Sequence, residues 1–325
     1  MKYKFVSGKF FPRIVFLGLS LALFSTTSAQ AEQLFRIGTG AVSGTYHPFG
    51  KALALALSEP GVLSVTAQSS NGSIANVSAV GSGDLESGFS QADVATWYYS
   101  GTGMVRARSK LEKLRLIANL YPESVHVVVR RSLGVSSIAG LKGKHIGMDE
   151  PGSGVLVNAR QILAAHGLTE RDIKPAYIKG EQAVAKMKDG SLDAFFFVGG
   201  VPSSVVAQVA ASVDVDLLPI TDEKITALRA TSPFFAPHII ATDAYKGVNG
   251  VQTLAVGAQW VTSTNADEAL VYKLTKKLFS PETLKQLELA HSNGKLVQLK
   301  TTTNSLGIPL HPGAERFYKE AGIVK

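Results

Sequence analysis

From Leu34 onward the chain alternates short apolar runs with stretches of helical periodicity, and that alternation restricts it to an α/β architecture. Residues 34–38 read as a first strand, followed by a Gly/Ser/Thr loop and a helix over 46–58, with Pro48 tolerated in its first turn. Strands over 62–68 and 85–90 alternate with helices over 73–80 and 92–99. The pattern then recurs: strand 144–148, helix 155–166 stopped by Gly167, strand 176–178, helix 181–188, strand 194–198 and helix 205–211. The halves share wording as well as order. Gly83-Asp84-Leu85-Glu86-Ser87-Gly88-Phe89 resembles Gly190-Ser191-Leu192-Asp193-Ala194-Phe195-Phe196. At 325 residues, two lobes fit the length better than one large sheet.

Two apolar stretches, 114–120 and 125–129, read as extended segments between the halves, and 238–241 with 253–256 as the return. Helices over 266–279 and 281–291 then complete the first lobe. The expected organisation is a lobe built from 32–125 and 235–325, and a second from 126–234. Two passages between lobes make a hinge, and a hinged α/β pair suggests a protein that closes around a small solute.

Before Leu34 the sequence reads as an export signal. Lys2, Lys4, Lys9 and Arg13 precede the apolar run 14–24, and Ala29-Gln30-Ala31 closes the segment, so cleavage is expected after Ala31. The run is shorter than the ~20 residues a membrane span needs. Removing residues 1–31 takes four bases and no acids from 33 bases and 25 acids, leaving a thin net charge of +4. No Lys/Arg block remains to suggest a nucleic-acid partner. The mature chain is expected in the periplasm.

The absence of cysteine excludes thiolate nucleophiles, disulfides and metal–thiolate sites. There is no Gly-x-Ser-x-Gly elbow, His-Glu-x-x-His or Walker A loop, and the seven histidines show no pair at metal spacing. No enzyme, cofactor or metal site is expected. Three polar loops instead each open onto a helix: Ser43-Gly44-Thr45-Tyr46, Ser70-Asn71-Gly72-Ser73 and Pro151-Gly152-Ser153-Gly154. Helix N-termini beyond the carboxyl ends of strands offer unpaired N–H groups and positive partial charge, enough in combination to hold a carboxylate. Taken singly, Ser73 and Ser153 are expected as N-caps. Gln91 ends an apolar strand, where its amide can meet a ligand. Asp93 is expected to cap the next helix. Tyr46 reads either as a ligand contact or as a core tyrosine, and His47 stands beside the first loop.

These words, in this order, resemble the TAXI-type solute receptors of tripartite ATP-independent periplasmic (TRAP) transporters. They run from Ile37-Gly38-Thr39-Gly40 and Tyr46-His47-Pro48 through Asn71-Gly72-Ser73-Ile74-Ala75-Asn76 and Gln91-Ala92-Asp93-Val94-Ala95. Leu120-Tyr121-Pro122-Glu123, Leu141-Lys142-Gly143-Lys144, Pro151-Gly152-Ser153-Gly154 and Gly199-Gly200-Val201-Pro202 follow. The resemblance implies a type II periplasmic binding-protein fold, two α/β lobes joined by a hinge. It further implies a small anionic solute, glutamate or a related dicarboxylate, delivered to a TRAP-type membrane permease. The contacts it implies are Thr45, Tyr46, Asn71, Ser73 and Gln91 from the first lobe, with Ser153, Gly154, Val155, Val198 and Gly199 from the second. Val155 departs from a frequent Thr of the family, and His47 from a common second Tyr. A receptor for an ABC importer is the competing reading, and a secreted serine hydrolase a more distant one.

Overall fold

The computed structural model describes residues 1–4, 8, 32–104, 110–304 and 307–325. The expected export signal lies almost entirely outside the described residues. Among the described residues no helix is long and apolar enough to cross a membrane.

The repeated wording of the sequence is a repeated topology. In the first lobe β1 (Gln33–Gly38) lies between β2 (Leu63–Gln68) and β3 (Ser87–Gln91), parallel to both. In the second, β5 (His145–Gly147) lies between β6 (Lys174–Ala176) and β7 (Ala194–Gly199), again parallel. Each trio is extended by a long antiparallel strand arriving from the other end of the chain. β10 (Val251–Ser263) pairs with β3, and β4 (Leu114–Arg130) pairs with β7. A fifth strand closes each set: β4 beside β10, and β8 (Val215–Leu217) beside β4. Two lobes of one strand order, joined by two shared strands, form the two-lobed α/β fold of periplasmic binding proteins.

Helices follow the strands as the periodicity requires: α1 (Tyr46–Leu57), α2 (Ser73–Ser82) and α3 (Ala92–Ser100) in the first lobe. The second lobe has α4 (Gly154–Ala165), α5 (Gly180–Asp189), α6 (Ser204–Ala210) and α7 (Glu223–Thr231). α8 (Glu268–Leu278), α9 (Pro281–Ala290) and α10 (Pro312–Glu320) return to the first. Its core gathers Phe35, Phe49, Phe89 and Trp260 with Leu274 and Leu287 of α8 and α9. At ~1.5–3 kcal/mol for each fully buried large apolar side chain, such clusters are what hold each lobe together.

Two sequence expectations change. The segments 114–120 and 125–129 are halves of one strand, β4, which carries Pro122 opposite Gly257 at a shift of register with β10. The return crossing also falls later than residue 235. Strand β9 (Ala236–Ile240) pairs with the start of β10, while Ile240, Tyr245 and Val248 pack into the second lobe's core. Leu254 and Val256 join the second lobe, and Ala258 and Trp260 the first. Both crossings thus lie side by side, near residues 122–124 and 256–258.

Candidate functional site

The site is assembled by short-range chemistry in each loop. Asn76, wholly buried in α2, donates from Nδ2 to the carbonyls of Gly38, Thr39 and Phe89, and its Oδ1 accepts from Ser70 Oγ at 2.7 Å. One amide thus ties the ends of β1 and β3 to the turn before α2. In that turn Gly72 has φ 103°, a region that strains any residue with a Cβ. The N-cap position belongs to Gly72, so Ser73 does not cap. Its Oγ instead accepts the backbone N–H of Gln91 at 3.1 Å. Ser153 does cap, accepting from Leu156 N at 3.1 Å.

The three loops converge. With the starts of α1, α2, α4 and α5 and the end of β3, they enclose a cavity of about 70 Å³ at the carboxyl ends of the parallel strands. Thr45, Tyr46, Asn71, Ser73, Gln91, Ser153, Gly154, Val155 and Val198 line it. Gly199 is not among the lining residues. It pairs with Ser124 in the sheet, close behind Thr45. His47 also stays off the wall, its Nδ1 at 3.1 Å from Thr39 Oγ1.

Several of these side chains tie one lobe to the other. Thr45 Oγ1 accepts from Gly200 N at 2.9 Å, Asn71 Nδ2 donates to Pro151 O at 3.2 Å, and Ala75 N donates to Gly152 O at 3.1 Å. At the rim Ser204 Oγ donates to Ser43 O at 2.9 Å. Asp93 is not the N-cap of α3. It is fully buried, and its Oδ2 accepts from Asn158 Nδ2 at 2.8 Å and Gln161 Nε2 at 3.4 Å, both on α4. Burial pushes its carboxyl up to about 6.

Three polar groups in the wall escaped the sequence reading. Glu123 lies on β4 at the crossing, and its Oε2 accepts from the Tyr46 hydroxyl at 2.6 Å. Burial, with the Asp93 carboxylate adding to it, pushes Glu123 up to about 8. Asp149 holds φ 65°, uncommon for a residue other than glycine, and burial pushes its carboxyl up to about 6. Lys179 lies 3.5 Å from Glu150. Among the described residues, Gln91 Oε1 is buried without a hydrogen-bond partner. Backbone strain and buried polar groups without partners concentrate at ligand sites. Glu123 stands inside the Tyr-Pro-Glu word of the sequence, the one signal that could have marked it.

Among the described residues no group of three or more His, Asp or Glu side chains is placed to hold a metal. A sequence profile of the NMT1-like family matches residues 37–322. The chain belongs to the NMT1-like family. This is a family of the periplasmic solute-binding fold, and the match spans both lobes. A solved protein of Bordetella bronchiseptica RB50 shares the fold at 15% identity with a TM-score of 0.56, over 90% of this chain and 98% of that one. PhnD1 from Prochlorococcus marinus (MIT 9301), in complex with methylphosphonate, is similar at 14% identity and a TM-score of 0.47, over 90% and 99%. The alkanesulfonate-binding protein SsuA from Xanthomonas axonopodis pv. citri, bound to MOPS, is similar at 16% identity and a TM-score of 0.46, over 90% and 85%.

Proposed function

We propose that this member of the NMT1-like family is the solute receptor of a TRAP-type transporter. In this reading it binds a small anionic solute, glutamate or a related dicarboxylate, between its lobes and delivers it to a membrane permease. The observation that carries the reading is the convergence of several helix N-termini on one cavity, whose wall among the described residues contains no arginine. Amide N–H groups and helix dipoles supply positive potential there without a fixed salt bridge, each worth ~0.3–1 kcal/mol and more where water is excluded. A cavity of about 70 Å³ has room for roughly five water-sized spheres, which suits a compact metabolite. The ordered words shared with TAXI-type receptors favour the TRAP permease as partner.

Solute would enter between parted lobes, anchor to the loops before α1, α2 and α4, and favour closure by binding the closed form more tightly. Hydrogen bonds such as Gly200 N to Thr45 Oγ1 contribute to that closed form directly. Native mass spectrometry of protein purified from the periplasm tests the solute: a co-purified small di-acid is expected, and a cationic solute contradicts the reading. Uptake by vesicles carrying the cognate permease tests the partner. Transport driven by an ion gradient without ATP is expected, whereas ATP dependence would transfer the chain to an ABC importer.

A further inference from the structure

The Glu123 carboxyl has an unusual setting for an acid that faces a cavity expected to hold an anion. It lies where β4 crosses between the lobes, paired with Val256 of β10, and is 3% exposed. No lysine or arginine forms an ion pair with it among the described residues. The ionisable groups that face it are Tyr46 from α1, Tyr121 from its own strand and Asp93 from α3. Asp149 and Lys179 line the same cavity from the second lobe, and Lys179 is engaged with Glu150. An ionised carboxylate in this place would be buried without a cation and would repel an anionic solute.

We infer that Glu123 is held at the hinge as an uncharged carboxylic acid and donates its proton to an acceptor oxygen of the bound solute, which makes it a specificity-determining residue of the cavity. The inference rests on the proposed reading of the cavity as the solute site. Tyr46 has one hydroxyl proton and gives it to Oε2, so the acid proton belongs on Oε1. An O–H donated to a carboxylate oxygen is a short, charge-assisted bond, stronger than the same bond between neutral groups. Gln91, 2% exposed in the same wall, keeps its Oε1 free for a donor on the solute, so the two side chains together recognise a polar group that both accepts and donates.

The arrangement couples solute to protons. Burial raises Glu123 to about 8 before solute arrives, and a bond that only the protonated form can donate raises it further once solute is bound. An acid that must be protonated to bind supports the complex fully below about 8 and withdraws that support as pH rises above it. Binding solute at pH 7.5 therefore takes up a fraction of a proton. Asp93 and Asp149, raised only to about 6, are mostly ionised at that pH and contribute little.

Two measurements test this on the full chain. The first needs no solute: carbon-13 NMR of protein labelled at the glutamate carboxyls, with Glu123→Gln used to assign the missing resonance. A midpoint near 8 is expected, and one in the ordinary range overturns the inference whatever the solute is. The second is calorimetry with L-glutamate, succinate and 2-oxoglutarate, carrying forward the tightest binder. Glu123→Gln, which keeps a donor and an acceptor, is expected to bind within about threefold of wild type at pH 6.5 and to show no pH dependence near 8. Wild type is expected to weaken by up to about tenfold per pH unit there, with proton uptake measured in buffers of different ionisation enthalpy. Wild-type affinity that rises with pH, or a Glu123→Gln profile that still follows wild type, overturns it. If none of the three solutes binds while the NMR midpoint stands near 8, the acid at the hinge survives and the proposed solute class is what fails.

Discussion

Gly154, in the first turn of α4, packs its α-carbon against the side-chain amide of Gln91 across the gap between the lobes. A methyl group on Gly154 would overlap that amide and come within 2.8 Å of Ser73 Oγ. Helix propensity alone favours alanine over glycine by ~1 kcal/mol. Gly154→Ala should therefore unfold in urea at or slightly above the wild-type midpoint while binding solute at least about tenfold more weakly, because closure is blocked sterically. Equal loss of stability and affinity would show that the contact serves folding and not closure.

Asp93 is the buried link between α3 and α4. Its carboxyl is raised from 3.8 to about 6, so its contribution to stability is complete below the unfolded value and is lost as pH rises through about 6. The difference amounts to about 3 kcal/mol. Asn158 Oδ1 has no partner among the described residues, so an amide at position 93 can donate to it once the Asn158 amide turns over. Asp93→Asn should match or exceed wild-type stability at pH 7.5 and flatten the loss between about pH 4 and 6.5. Asp93→Ala strands the amides of Asn158 and Gln161 and should cost ~2–4 kcal/mol by urea denaturation.

His126 makes the opposite contribution. It is buried, with Nδ1 at 3.0 Å from Ser124 O and Nε2 at 2.8 Å from the Tyr245 hydroxyl, which accepts the backbone N–H of Ser203 at 2.9 Å. Burial pushes the imidazole down to about 4. Its contribution is therefore complete above 6.5 and is lost as pH falls through about 4, an effect of roughly 3 kcal/mol. Tyr245→Phe leaves two buried groups without a partner and should cost ~1–3 kcal/mol in urea, with the fold retained by circular dichroism.

The export signal has a direct chemical readout. Protein recovered from the periplasm should begin at Glu32 on N-terminal sequencing. Recovery of uncleaved chain in the membrane fraction would make residues 1–31 an anchor instead.

The regular elements were legible because each carries its own local pattern: the expected starts of α1, α2 and α3 coincide with those found, and α4 begins one residue early. Pro122 hid the continuity of β4, since proline supplies no ladder N–H and reads as a break. Helix α7 was missed because it buries only Ile225 and has almost no apolar face to detect. Helix α10 did carry a signal, with His311 capping, Pro312 at the start and Ala314 and Tyr318 buried four apart. In the site, loop residues could be read as helix starts. Glu123 and Asp149 could not, because what distinguishes them is burial supplied by segments far away in sequence, nor could Lys179, whose partner Glu150 comes from another loop. Ser73 shows the same limit: its cap position is taken by Gly72, and its partner Gln91 lies 18 residues on.

If the loops before α1, α2 and α4 grip one small anion between the lobes, calorimetric titration of wild type, Ser73→Ala and Gln91→Ala with the dicarboxylate that wild type binds tightest will show it. Each truncation should weaken binding about 10- to 100-fold, the ~1–3 kcal/mol of a buried polar partner left unpaired. Affinity unchanged in both variants, with wild-type stability, would contradict the site.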